Sequence, residues 1–208
     1  MRRVIPWLVM VVGGVLLCAF GGCAISPPVR FYVLTPLPDM APLQPQASGV
    51  PSLALGIGPV TVPEYLDRSE IIRQASANQL DLAEFDQWAE PLKASVPRVL
   101  ADNLSRLLHT DAVALIPGPR RALFDYQVVA EVTRFEATLG GSTRLVARWG
   151  ILNGDGEQEY VRRQSTITVP VNAPSYDAMV AAMSQALGEL SRDIAGALQA
   201  LPPAAPRR

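Results

Sequence analysis

Between Glu90 and His109 the apolar residues Leu92, Val96, Val99, Leu100, Leu104, Leu107 and Leu108 recur at spacings of three and four, and a second such stripe, Tyr176, Val180, Met183, Leu187, Leu190, Ile194 and Leu201, runs from Tyr176 to about Ala200. Each stripe is one face of a helix. A helix apolar on one side only must bury that side against another layer, so two long helices of this kind call for a shared partner surface. Strand-like runs supply it. Arg30–Thr35, Leu53–Val62, the pair Ile71–Gln74 and Gln79–Leu82, and then Tyr126–Leu139, Thr143–Leu152 and Glu157–Val169 are rich in β-branched and alternating residues. Gly140-Gly141 and Asn153-Gly154-Asp155-Gly156 join the last three as hairpin turns. Leu145, Ala147, Trp149 and Ile151 share one face of their strand while Arg144 and Arg148 take the other, the pattern of a sheet covered on one side. Ser175, after Pro174, is placed to cap the second helix. Pro97 leaves two starts open for the first: a beginning at Pro91 with a kink, or a cap at Ser95 with Pro97 in the first turn. The expected fold is α/β, a one-domain sandwich of a mostly antiparallel mixed sheet with two long helices over residues 30–201. The proline-rich stretch 36–52 reads as a surface loop and residues 202–208 as a flexible tail.

The amino terminus has a different logic. Arg2 and Arg3, the apolar run Val4 to Phe20 and the small residues Gly21 and Gly22 are the parts of a secretory signal. Phe20-Gly21-Gly22-Cys23 resembles the bacterial lipobox, with Phe20 where Leu is usual, which implies cleavage after Gly22 and lipid on Cys23 rather than a plain transmembrane anchor. Cys18 is the rival, but bulky Leu17 precedes it. Lipoproteins with Asp after the cysteine are retained at the inner membrane; here the residue is Ala24, so the outer membrane is expected. Residues 1–22 are then the signal and 23–29 a lipidated tether whose reach is roughly 20 Å, at about 3.3 Å per extended residue.

Removing Arg2 and Arg3 leaves 16 basic residues (18 less 2) against 19 acidic ones, and the basic residues are scattered, so a nucleic-acid partner is not expected. With Cys18 lost, one cysteine remains and no internal disulfide can form. His109 is the sole histidine, which excludes a multi-histidine metal site or an imidazole pair. Gly56-Ile57-Gly58-Pro59 lacks the third glycine of a dinucleotide loop and reads as a strand bend. Pairs such as Glu64 with Asp67 or Asp86 with Glu90 read as solvated or capping charges. No enzyme, cofactor, catalytic or metal site is expected.

Several segments together carry a resemblance: Phe31-Tyr32-Val33-Leu34, Ile57 to Val62 leading into Pro63-Glu64-Tyr65-Leu66-Asp67-Arg68, Ile72-Arg73, Trp88-Ala89-Glu90-Pro91-Leu92, and the helix Met179 to Leu198. They resemble, in order, the auxiliary lipoproteins of ABC-type transport systems, in particular the PqiC-like lipoproteins of paraquat-inducible systems. The resemblance implies a lipoprotein on the periplasmic face of the outer membrane, acylated with fatty chains such as palmitate. It would serve an MCE (mammalian cell entry) protein that carries lipid between the membranes, and so support membrane integrity. A homo-oligomer stays open. The alternatives are a lipid-binding periplasmic carrier, which needs an apolar cavity, and a structural envelope-assembly lipoprotein, which needs only a surface. Tyr65, Leu66, Arg68, Trp88 and Pro91 are the candidate partner-binding residues, because they sit in irregular, proline-bounded segments where binding residues concentrate. Trp88 and Leu66 have a competing reading as side chains closing the core beneath the first helix.

Overall fold

The computed structural model describes residues 26–38, 53–118 and 123–202. The expected signal, Cys23, most of the proline-rich stretch and the end of the expected tail lie outside the described residues. Eight strands form one mixed sheet: β1 (Arg30–Tyr32), β2 (Leu55–Thr61), β3 (Glu70–Ser76), β4 (Gln79–Trp88), β5 (Val113–Leu115), β6 (Tyr126–Ala137), β7 (Ser142–Asn153) and β8 (Glu159–Pro170). Two long helices, α1 (Leu92–Leu108) and α2 (Tyr176–Gln199), pack side by side against it, so the α/β architecture is the one expected. Among the described residues no helix is long and apolar enough to cross a membrane.

The longest ladders, β6 with β7 and β7 with β8, are antiparallel, as is β3 with β4. Shorter parallel ladders join β1 to β4 and β2 to both β5 and β6. The sheet forks at β6. One edge of that strand carries β7 along its length; the other carries β2 beside Tyr126–Glu131 and meets β3 only at Ala137, opposite Arg73. One wing is therefore β2–β5 and the other β3–β4–β1, with a gap between them beside residues 132–136 of β6.

The core is where the stripes meet. Leu100, Leu104 and Leu107 of α1, Met179, Leu187 and Ile194 of α2, and Phe135, Leu145 and Ile151 of the sheet are all buried. Along β7, Leu145, Ala147, Trp149 and Ile151 face inward while Arg144 and Arg148 face water. Ser175 caps α2 by accepting from the Ala178 amide at 3.2 Å. Of the two starts open for α1, the helix takes the earlier: Pro91 stands at its N-cap, Pro97 is interior, and Ser95, buried, donates to Leu92 O instead of capping. Asn103, fully buried, joins the helices by donating to Ser191 Oγ at 3.2 Å and also accepts from the Leu37 amide at 3.2 Å. Leu37 belongs to a segment that leaves the sheet after Tyr32 and crosses both helices, which is why β1 stops short of Thr35. A Cβ on Gly188 of α2 would stand 2.2 Å from Leu37 Cδ1, so glycine lets the Leu37 side chain seat on the helix where a larger residue would make it shift.

Three local expectations need correction. Trp88 does not lie in an irregular segment: it is the last residue of β4, a strand six residues longer than the run Gln79–Leu82 suggests. The cause is tertiary, since β1 pairs with Asp86–Trp88 and extends the strand. The edge strand β5 lies within the apolar run of residues 112–116, which the sequence alone assigns to no strand, and it pairs in parallel with β2. β8 begins at Glu159 rather than Glu157, because the amides of Glu157 and Gln158 donate to Asn153 Oδ1 at 2.9 and 3.1 Å. The bend expected at Gly56-Ile57-Gly58-Pro59 is an irregularity in the β2–β6 register between Ile57 and Val60, with Gly58 at φ +131°.

Candidate partner-binding site

β2 ends one residue before Val62, and Pro63 turns the chain into a single 3-10 turn, Glu64–Leu66. Leu66 donates its amide to Pro63 O and Asp67 to Glu64 O, both at 3.0 Å, and Arg68 returns to Leu66 O at the same distance. Successive residues of so tight a turn point different ways. Leu66, 3% exposed, enters the core, whereas Tyr65, 38% exposed, lies over the gap in the sheet. Arg68 stays in water and pairs with Glu70 at 3.4 Å.

The second segment runs from the end of β4 into α1. The Trp88 amide donates to Ser69 O at 2.6 Å and the Ala89 amide to Tyr32 O at 2.9 Å, so the strand end is held from both sides. The Trp88 side chain is 5% exposed and belongs to the core cluster. Pro91 is exposed at the start of α1. Two residues later Lys93 reaches Asp67 Oδ2 at 2.6 Å, and Arg98 pairs with Glu90. The two sequence segments, about twenty residues apart, are thus clasped into one surface by a backbone bond and an ion pair. Of the five candidates, Tyr65, Arg68 and Pro91 offer side chains to solvent, while Leu66 and Trp88 hold the two loops from beneath.

The gap beneath Tyr65 is polar. Glu136 is 5% exposed yet carries a carboxylate, and it is matched by the Tyr65 hydroxyl, which donates to Oε1, and by Arg134 Nε at 3.2 Å. Burial first, and then the hydrogen bond to Glu136, push the Tyr65 hydroxyl pKa well above the usual tyrosine value. Around these groups Gln74, Leu80 and Thr133 complete an open depression of about 340 Å³. A second depression of about 390 Å³ lies on the same helix-free side at Thr61, Val129 and Gly150, rimmed by Arg148–Glu131 at 3.4 Å and Arg162–Glu159 at 2.7 Å. Among the described residues no group of three or more His, Cys, Asp or Glu could hold a metal. What the surface can do chemically is hydrogen-bond and pack: a tyrosine ring, an arginine, a proline and a lysine on a rigid base.

Glu136, Arg134 and Lys93 escaped the sequence reading, and Asp67, read there as a solvated or capping charge, is the ion-pair partner of Lys93. Glu136 meets Tyr65 across 71 positions, and the irregularity between Val132 and Arg134 shifts the alternation that would have flagged an inward carboxylate. The Asp67–Lys93 pair has no local signal either.

Residues 32–195 match the family described as the ABC-type transport auxiliary lipoprotein component. The chain is 27% identical over 149 residues to the intermembrane transport lipoprotein PqiC of Escherichia coli K12, covering 71% of this chain and 76% of that protein, and the Shigella flexneri PqiC matches equally. Among solved structures, a crystal structure of an uncharacterized protein aligns with TM-score 0.66 at 22% identity, covering 83% of this chain and 99% of the other. Protein XCC0632 of Xanthomonas campestris aligns with TM-score 0.63 at 20% identity, covering 81% and 94%. These two likenesses concern the fold, whereas the family match spans both clasped loops, α1 and most of α2. The chain belongs to the ABC-type transport auxiliary lipoprotein family, a family of transport components rather than of enzymes.

Proposed function

We propose that the protein is an outer-membrane-anchored periplasmic lipoprotein, held by lipid on Cys23, that docks an MCE-type intermembrane lipid transport conduit at that membrane. The observation that carries the reading is the likeness to PqiC, an intermembrane transport lipoprotein, over most of both chains. Ala24 in place of Asp supports the outer membrane, and the exposed Tyr65, Arg68 and Pro91 on a clasped base support a docking surface. A carrier that swallows lipid is less favoured, since the layer between helices and sheet is filled by buried side chains such as Leu104, Leu187 and Phe135.

The test is retention of the lipidated protein by an immobilised MCE-domain protein of the same organism. Tyr65→Ala combined with Arg68→Glu is expected to weaken retention at least about tenfold, in line with aromatic and arginine hot spots, and to lower the melting temperature because Glu136 loses its hydroxyl partner, whereas Arg68→Glu alone should weaken retention with the melting temperature within a few degrees. Full retention by the double variant removes these residues from the interface, and no retention by the native protein refutes the conduit.

A further inference from the structure

Phe31 is 65% exposed, an unusual position for a phenylalanine on a strand of a packed sheet. Its neighbours explain which way it looks. Arg30 and Tyr32 both turn to Asp86, at 2.9 and 2.7 Å, and the Tyr32 ring lies 6.3 Å from that of Tyr176 on α2. Because side chains alternate along a strand, Phe31 looks to the helix-free side, and Val29 and Val33 flank this short strand. Both valines are exposed. On β4, Leu80 lines the depression beside Tyr65 on that same side, and Leu82 follows two residues on; both are exposed as well. Of the nine exposed large hydrophobic residues among the described ones, five lie on or beside β1 and on β4, its neighbour: Phe31 stands next to Gln87, Val29 and Val33 flank β1, and Leu82 and Leu80 follow five and seven residues back along β4. Singly scattered apolar residues need no cause, but a concentration of them marks a surface that meets something apolar. The strand carries little charge to oppose this: Asp86 is paired with Arg30 and Asp81 with Arg73 at 2.7 Å, leaving Glu84 as the β4 carboxylate without an ion pair.

The chain preceding this patch says what covers it. Cys23 stands seven residues before Arg30, so at full extension its Cα is no more than about 25 Å from β1. A twelve-residue strand such as β7 is about 40 Å long. The anchor therefore brings the β1 edge down before the far ends of the sheet. We infer that Val29, Phe31 and Val33, with Leu80 and Leu82, form the face that lies in the interfacial region of the phospholipid surface holding the lipid anchor. The inference rests on the reading of Cys23 as the acylated residue. Its consequence is an orientation: the helix-free side of the β1–β4 edge turns to the lipid, and α1 and α2 turn away.

The experiment uses the full mature protein purified from membranes and reconstituted into phosphatidylethanolamine–phosphatidylglycerol vesicles with brominated acyl chains. Phe31→Trp adds a fluorophore to the patch, Gln185→Trp adds one to the exposed face of α2, and the native Trp88 and Trp149 are buried and serve as references. Insertion by several ångströms should quench the added emission of the Phe31→Trp variant by roughly twofold and leave that of Gln185→Trp unchanged. An acylated protein whose residue 31 is quenched by aqueous acrylamide and not by lipid bromine overturns the inference. So does one shielded from both, because a second copy or another protein then covers the patch. The intact mass separates this from the anchor reading: a chain without acyl groups whose residue 31 is still lipid-quenched keeps the face and refutes Cys23.

Discussion

Trp88 fills core space beneath two loops while its amide holds Ser69, so truncation to alanine would leave a cavity where both loops are seated. Trp88→Ala is expected to lower unfolding free energy by about 3 to 5 kcal/mol, read as a lower urea midpoint. Native stability with lost partner retention would instead make Trp88 a direct contact. Tyr65 behaves differently. Its folded-state pKa is raised, so the protonated hydroxyl stabilises the fold fully below the unfolded value near 10, and that stability is lost as pH rises from about 10 toward the folded value. Burial raises Tyr32, Tyr126 and Tyr176 in the same direction. Unfolding free energy should therefore fall steeply above about pH 10. Tyr65→Phe should make that fall shallower, and parallel profiles for the two proteins would show that Tyr65 does not titrate with folding.

At the scale of elements, α2 depends on a cap that can be removed cleanly. Ser175→Ala strips one acceptor from the first turn and is expected to cost about 1 kcal/mol, against a few tenths for Ser175→Gly, by urea denaturation; equal stability for both would mean that the first turn is held by packing alone. This cap could be read from Ser175 after Pro174, and the β6–β7–β8 meander from its two glycine turns, because those signals are local. The side-chain face of β7 was equally legible, since alternation survives wherever the register is unbroken. The last six residues of β4 were not, since they are decided by a partner far away in sequence, β1; β5 is too short an apolar run to stand out, and Pro97 left the start of α1 open between two readings. The same holds for the site. Its exposed members, Tyr65, Arg68 and Pro91, were readable as loop residues, but the separation of Trp88 and Leu66 from them depends on a core that only the assembled sheet creates.

For the molecule as a whole, the proposed anchor can be tested apart from the domain. Cys23→Ala should leave an unacylated precursor, detected by mass of the N-terminal peptide, while Cys18→Ala should mature as the native protein does; an acyl group on Cys18 would reverse the assignment. The domain itself hangs on β6, the one strand that touches both wings and the meander. A ribosome delivers the chain amino end first, so β2 and β3 are synthesised some sixty residues before the strand that unites them. Loop closure over that distance has to wait, and the sheet edges stay unpaired meanwhile. Residues 126–199, by contrast, hold a meander and its covering helix in one uninterrupted stretch, whose contacts are close in sequence and therefore quick to form. The last third of the polypeptide is thus expected to form the template on which the first half condenses, and a chain ending before Tyr126 is expected to leave β2 and β3 without the strand that unites them.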